Sequence, residues 1–139
     1  MNRTELLSYM RSHKLVVIGT SGAGSPQGAL VGIGVADDLQ VIFDTVSDSR
    51  KHQNLQRDSR VAVTFAGLGE RTLQYEGRAI PVNATGMTDA DYREIYFSAW
   101  PECRAHLVWP KIAYWRIEPG WARYSDYDRG PLIEVFTFE

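Results

Sequence analysis

A polar turn followed by two adjacent cations is the segment of this sequence best suited to bind a charged ligand. An apolar run, residues 41–43, leads to Thr45, and Ser49-Arg50-Lys51 follow at the predicted first turn of a helix. Backbone N–H groups at a helix start are unpaired, so two cations beside them favour a phosphate monoester. The pattern is equally typical of an ordinary solvated helix start, capped by Asp48 or Ser49.

Size and composition restrict the classes of function that remain open. The chain has 139 residues, 44% of them hydrophobic and 23% charged, which predicts one globular domain over residues 1–139. A net charge of −2 offers no electrostatic support for nucleic-acid binding. No apolar run approaches the roughly 20 residues that span a membrane. The single cysteine and the lack of a secretory signal predict a cytoplasmic protein.

The order of predicted elements indicates a mainly β protein with flanking helices. Helices are expected over residues 4–13 and 49–57, and a third opens at Thr88-Asp89-Ala90-Asp91 in capping-box style and ends near Pro101. Strands are expected at residues 15–18, 28–36, 40–45, 61–65, 72–82, 112–118 and 132–138, and the strand at 112–118 continues as 121–127 after a break at Pro119-Gly120. An Asp37-Asp38 turn makes a hairpin of the second and third strands. Six or seven strands at such regular spacing, joined by short turns, predict a small antiparallel barrel.

Several of these segments, in this order and spacing, resemble the pyridoxamine 5′-phosphate oxidase-like family of FMN-binding split barrels. The segments are Phe43-x-Thr45, Ser49-Arg50-Lys51, residues 60–65, residues 70–79 and Arg116-Ile117-Glu118-Pro119. The resemblance is good over residues 15–79 and looser in the Trp-rich last third. It implies a six- to seven-stranded antiparallel split β-barrel and a homodimer that holds two FMN molecules between its subunits.

The resemblance also implies which residues would contact the cofactor. Thr45, Ser49, Arg50 and Lys51 match the positions that bind the FMN phosphate, and residues 28–36 match the strand along which the isoalloxazine ring lies. The other implied contacts are Leu30, Val31, Gly32, Ile33, Gly34, Asp44, Gln74 and Trp109.

Glycines recur on one face of the strand predicted at residues 28–36. Val31, Ile33 and Val35 alternate with Gly28, Leu30, Gly32 and Gly34. A face of glycines lets a flat ring or another backbone approach closely, and it also permits barrel curvature. With a ring bound, we expect Gly32 and Gly34 to leave room above it.

Two departures from the oxidase itself bear on the substrate. The oxidase carries an Arg and a Lys on the ring strand where this chain has Ala29 and Gly34. Residues 130–139 are apolar and acidic, where the oxidase has a basic, His-containing segment. A second phosphate would find little counter-charge, so we expect a small substrate other than pyridoxamine phosphate.

Other candidate chemistry is weaker. The three histidines show no metal-ligand spacing, so no metal site is predicted. His52 is expected to be an exposed helix residue, and His106 is a weak candidate for an axial haem ligand. The four tryptophans indicate an interface, a planar ligand or an aromatic core, with Trp109, Trp115 or Trp121 near the partner or the ring.

No residue is singled out as catalytic, because a flavin supplies the redox chemistry itself. The sequence predicts an FMN-dependent oxidoreductase acting on a small molecule. A non-catalytic flavin carrier or sensor, and a reductase using deazaflavin in place of FMN, remain the alternatives.

Overall fold

Three α-helices and one 3₁₀ helix flank the sheet in this computed structural model, which describes residues 1–83 and 87–139. Helix α1 is Arg3–Arg11, α2 is Arg50–Arg57 and α3 is Met87–Ala99, and the 3₁₀ helix Pro101–Val108 follows α3 directly. A capping box between Asn2 and Glu5 begins α1, because the Asn2 side chain accepts the Glu5 N–H and the Glu5 side chain accepts the Asn2 N–H. The predicted capping role of Thr88 lies outside the described side chains.

Eight antiparallel strands form one curled sheet, a half-barrel. Their bounds are β1 Leu15–Ser21, β2 Pro26–Gly32, β3 Gly34–Val35, β4 Val41–Val46, β5 Arg60–Leu68, β6 Arg71–Val82, β7 Ile112–Asp126 and β8 Leu132–Thr137. They lie in the order β2-β1-β5-β6-β7-β4-β3, and β8 pairs with β7. The predicted split barrel with flanking helices is therefore confirmed.

Alternating side chains place the core on the concave face of the sheet. In β5, Val61, Val63 and Phe65 are buried while their neighbours are exposed, as the period-2 pattern predicts. Leu55 of α2 joins this core. Strand β1 alternates in the same way, because Leu15 and Val17 face outward while Val16 and Ile18 are buried.

The two strand segments predicted on either side of Pro119-Gly120 form one long strand with a bulge. In β7, Trp121 pairs with Glu76 and Pro119 pairs with Gly77, so Gly120 is the extra residue. The bulge turns the strand without ending it. The single strand predicted over residues 28–36 is instead two strands, β2 and β3, because it is interrupted at Ile33.

Helix α3 lies against β3 and β4 at one end of the half-barrel. Tyr96 and Phe97 of α3 pack there with Ile42 and Tyr114 in a second apolar cluster. The 3₁₀ helix that follows α3 contacts β4 through His106, whose Nδ1 lies 2.7 Å from Asp44 Oδ2. No helix among residues 1–83 and 87–139 is both long and apolar enough to cross a membrane.

Candidate functional site

Strand β4 and helix α2 bring the predicted phosphate-binding hydroxyls together. Thr45 is buried near the end of β4, and its Oγ1 lies 2.9 Å from Ser49 Oγ. Ser49 is the N-cap of α2, and its hydroxyl accepts the His52 N–H at 3.2 Å. The cap that the sequence left open between Asp48 and Ser49 is thus Ser49. Two hydroxyls and the first N–H groups of a helix share one small polar site.

The two adjacent cations differ in their surroundings. Arg50 is exposed at the first position of α2, whereas Lys51 is half-buried. Burial lowers the pKa of the Lys51 ammonium, and the charge of Asp44 acts in the opposite direction. Within the described part of the chain neither cation forms an ion pair. An anion arriving here would find a partly desolvated cation without a carboxylate partner.

Asp44, also a predicted cofactor contact, is engaged by the 3₁₀ helix. Its Oδ2 lies 2.7 Å from Nδ1 of His106, and both side chains are mostly buried. The His106 ring stacks on Trp109, with centroids 3.8 Å apart and planes 27° apart. Trp109 itself is 48% exposed. Asp44, His106 and Trp109 therefore form one contiguous group at the residue that precedes Thr45.

The backbone at Ile33, on the predicted ring strand, already has partners within the chain. Its N–H donates to the Lys14 carbonyl at 3.0 Å, and its carbonyl accepts from Trp100 Nε1 at 3.1 Å. The Lys14 ammonium lies over the Trp100 indole, 4.5 Å from the ring centroid. The Trp100 indole thus occupies the Ile33 carbonyl on the predicted ring strand.

The glycine face is only partly open. A Cβ at Gly32 would lie 2.7 Å from the Trp100 ring, and a Cβ at Gly34 would lie 2.8 Å from the Tyr96 Cα. The expected room above these two glycines is therefore wrong: Trp100 fills it at Gly32 and the backbone of α3 fills it at Gly34. Farther along the same face, Gly28 and Leu30 remain exposed.

The remaining predicted contacts are spread over the sheet. Val31 and Ile33 point into the core, and Leu30 is 66% exposed on the convex face. Gln74 lies on that convex face too, because cross-strand pairing places Leu30, Val17, Thr64 and Gln74 in one row. The structure thus pairs Thr45 with Ser49 at the start of α2 and groups Asp44 with His106 and Trp109, and it leaves Leu30 and Gln74 on the convex face.

The expectation that His52 is exposed was wrong. His52 is buried, and its Nδ1 accepts the Trp115 indole N–H at 3.0 Å. Trp115 is a core residue, as the aromatic-core alternative predicts for some of the tryptophans.

A cavity of about 440 Å³ lies beside the buried pair of His52 and Trp115. His52 and Trp115 line it together with Arg93, Leu107 and Tyr114. A wider groove of about 660 Å³ crosses the convex face, where Gly19, Ala62, Gly120 and Trp121 line it.

One group near Asp44 was missed by the sequence reasoning. Cys103 and His106, three residues apart, both lie beside Asp44. The Cys-x-x-His spacing of these two residues was the available signal, which the spacing of the histidines alone does not contain.

The half-barrel with a polar helix start beside β4 is the architecture of split-barrel proteins. The chain belongs to the pyridoxamine 5′-phosphate oxidase family: the family model described as Pyridoxamine 5′-phosphate oxidase matches residues 3–126. No curated protein matches the sequence.

Solved structures share this fold at low sequence identity. A haem-binding protein from Mycobacterium smegmatis superposes with a TM-score of 0.83 at 16% identity, over 97% of this chain and 57% of that one. A NimC/NimA family protein from Clostridium acetobutylicum gives 0.77 at 9% identity, over 98% and 92%. From the same organism, a protein related to general stress protein 26 (pyridoxinephosphate oxidase family) gives 0.74 at 14% identity, over 99% and 97%. The chain spans little more than half of the haem-binding protein.

Proposed function

We propose that this protein binds FMN and acts as a flavin-dependent oxidoreductase on a small molecule. The observation that carries the proposal is the group of Thr45, Ser49 and Lys51 at the start of α2, in a chain of this family. A phosphate monoester carries a charge near −2 and three acceptor oxygens, which two hydroxyls, helix N–H groups and two cations complement. When bound, the flavin would supply the electron or hydride transfer.

The start of α2, where the phosphate would bind, fits FMN better than the strand expected to hold the ring. Gly28 and Leu30 offer an open face, but the Trp100 indole covers Gly32 and occupies the Ile33 carbonyl. A flavin ring that uses this strand must therefore displace Trp100 from its position. This competition predicts that the affinity for FMN is set by two opposing terms, the phosphate contacts and the cost of moving the indole.

A homodimer is part of the proposal. Gln74 and Leu30 lie in a row on the convex face, away from the phosphate-binding hydroxyls of the same chain. A second copy seated on this face would cover Leu30 of the predicted ring strand together with Gln74. The groove on the same face has small residues, Gly19 and Ala62, beside the Trp121 indole, which lets a partner approach the sheet.

FMN titration of four proteins tests the cofactor assignment. We expect the Arg50→Ala/Lys51→Ala double variant to bind FMN at least tenfold more weakly, since a charge-assisted contact is worth about 1.5 kcal/mol or more. Arg57→Ala, at the other end of the same helix, is the matched control and should bind normally. Trp100→Ala should bind several-fold more tightly, because the competing indole is gone. Unchanged affinity in the double variant contradicts the phosphate assignment.

The reaction is tested with the FMN-loaded protein. Turnover of pyridoxamine phosphate with oxygen would contradict the expected substrate class, and reduction of the bound flavin by a nicotinamide donor would support a reductase. Failure with every donor would favour a carrier or sensor. Mass spectrometry of the ligand released from the purified protein separates FMN from a deazaflavin.

Haem is the second candidate ligand. His106 is held by Asp44 through Nδ1, which orients its Nε2 for an axial metal bond, and the fold is shared with a haem-binding protein. Haem titration should then give a Soret band that His106→Ala shifts. A spectrum identical in the variant would remove this candidate.

A further inference from the structure

A thiol, an imidazole and a carboxylate converge where the 3₁₀ helix meets β4. One donor atom each from Asp44, Cys103 and His106 lies within 4.8 Å of the other two. Cys103 is buried, and the other two side chains are mostly buried. Over the described residues this is the one such group of three potential metal ligands.

Local geometry explains why Cys103 and His106 point the same way. They are three residues apart in Pro101–Val108, and a 3₁₀ helix has three residues per turn, so their side chains eclipse one another. Asp44 reaches the same point from β4, and its carboxylate lies 2.7 Å from His106 Nδ1. The 3₁₀ helix and β4 thus hold three potential ligands of different chemistry close to one point.

Two tyrosine hydroxyls complete the polar surroundings. The Tyr114 hydroxyl is buried and finds no hydrogen-bond partner in the described part of the chain. Burial raises its pKa, and the nearby Asp44 and Cys103 raise it further. Tyr96 is buried beside the same two residues, and its pKa is raised by burial, then by Cys103 and Asp44. A buried hydroxyl without a partner is costly unless something else occupies the site.

We propose that Asp44, Cys103 and His106 bind a zinc ion. Zinc accepts sulfur, nitrogen and oxygen ligands in tetrahedral geometry, with neighbouring ligand atoms about 3.3–3.8 Å apart. Small side-chain rotations bring donors within 4.8 Å of one another to that spacing. A thiolate ligand disfavours Mg²⁺ and Ca²⁺, which prefer oxygen. A water takes the fourth position.

Proton balance and charge are consistent with binding at this point. Zinc replaces the proton shared by Asp44 and His106 Nδ1, so the neutral ring carries its proton on Nε2. The Cys103 thiol releases its proton to solvent on becoming a ligand. The ion would join the 3₁₀ helix to β4, one residue before Thr45. This proposal does not depend on FMN.

Zinc titration of metal-free, flavin-free protein against a chromophoric chelator tests the site. We expect one equivalent per chain and a higher melting temperature with zinc. Cys103→Ser and Asp44→Asn should each lose at least tenfold in affinity, whereas Asp48→Asn, an exposed carboxylate four residues from Asp44, should not. Cobalt substitution should give a thiolate charge-transfer band that Cys103→Ser abolishes.

Several outcomes would overturn the zinc site. They are less than one equivalent bound, affinity that Cys103→Ser leaves unchanged, or a cobalt spectrum without the thiolate band. Circular dichroism of each variant shows whether the chain is folded, and the cobalt spectrum of the unmutated protein decides the question if a variant is not. Arg50→Ala/Lys51→Ala should keep full zinc affinity while losing FMN, which separates this proposal from the flavin assignment.

Discussion

The buried pair of His52 and Trp115 makes protein stability depend on pH. Burial lowers the pKa of His52 from its ordinary value of 6.5, and its Nδ1 must be unprotonated to accept the indole N–H. Below about pH 6.5 the unfolded chain therefore binds a proton that the folded chain resists. The contribution of His52 to the free energy of unfolding should be complete above this pH, and it should decrease as the pH falls toward the folded-state pKa.

Urea unfolding at about pH 7.5 and about pH 5.5 measures this dependence. We expect His52→Gln, which keeps an acceptor for Trp115 but does not titrate, to lose less stability between the two pH values than the unmutated protein. His52→Leu leaves the indole N–H unpaired and should cost about 1–3 kcal/mol at both. Equal losses in His52→Gln and the unmutated protein would assign the pH dependence to other groups.

Residue roles set by local chemistry could be predicted from the sequence, and those set by distant contacts could not. Ser49 was a candidate cap because its short hydroxyl side chain suits a helix start. Leu39 gave no such signal, although it adopts a positive φ of 70° in the β3–β4 turn. Its carbonyl accepts the buried Tyr75 hydroxyl at 2.9 Å, a contact across 36 residues. Such contacts depend on the completed fold.

At the scale of elements, helix α3 is seated directly on the backbone of β3. A Cβ at Gly34 would lie 2.8 Å from the Tyr96 Cα and 3.0 Å from the Ile95 carbonyl oxygen, and neither backbone atom can move independently. Gly34→Ala should therefore destabilise the protein by about 1–3 kcal/mol. Thermal unfolding checks this against Gly24→Ala, where nothing lies within 4 Å of the new methyl group. Equal melting temperatures would show that α3 is not tightly seated.

Strand and helix positions were largely predictable because hydrophobic periodicity is strong in β5 and β6. The interruption at Ile33 and the bulge at Gly120 were not, since both depend on pairing with neighbouring strands. The 3₁₀ helix after Pro101 carries no clear amphipathic pattern. The part of the candidate site at the start of α2 could be predicted, because Ser49 is a residue type that caps helices. The covering of Gly32 by Trp100 could not be predicted, because it depends on where α3 packs.

At the scale of the whole molecule, the convex face of the sheet carries apolar side chains that a monomer leaves in water. Leu30, Val17 and Val135 are 66%, 44% and 56% exposed, and cross-strand pairing places them in one row with Thr64, Gln74 and Arg123 between. A stable dimer buries about 1,200–2,000 Å² in total, which a six-strand face can supply. The proposed homodimer uses this face because its small side chains and apolar row suit a flat partner.

Sedimentation at micromolar concentration tests the dimer with two charge substitutions. Val17→Glu places a carboxylate beside Leu30 in this row, where a dimer would have to desolvate it, so we expect dissociation to the monomer. Val108→Glu is the matched control, because Val108 is 87% exposed on the 3₁₀ helix and lies off the sheet. If the site is shared between subunits, Val17→Glu should also weaken FMN binding although Val17 is far from Lys51 in sequence and on another face. A Val17→Glu protein that stays dimeric, or an unmutated monomer that binds FMN, would place the interface elsewhere or remove it.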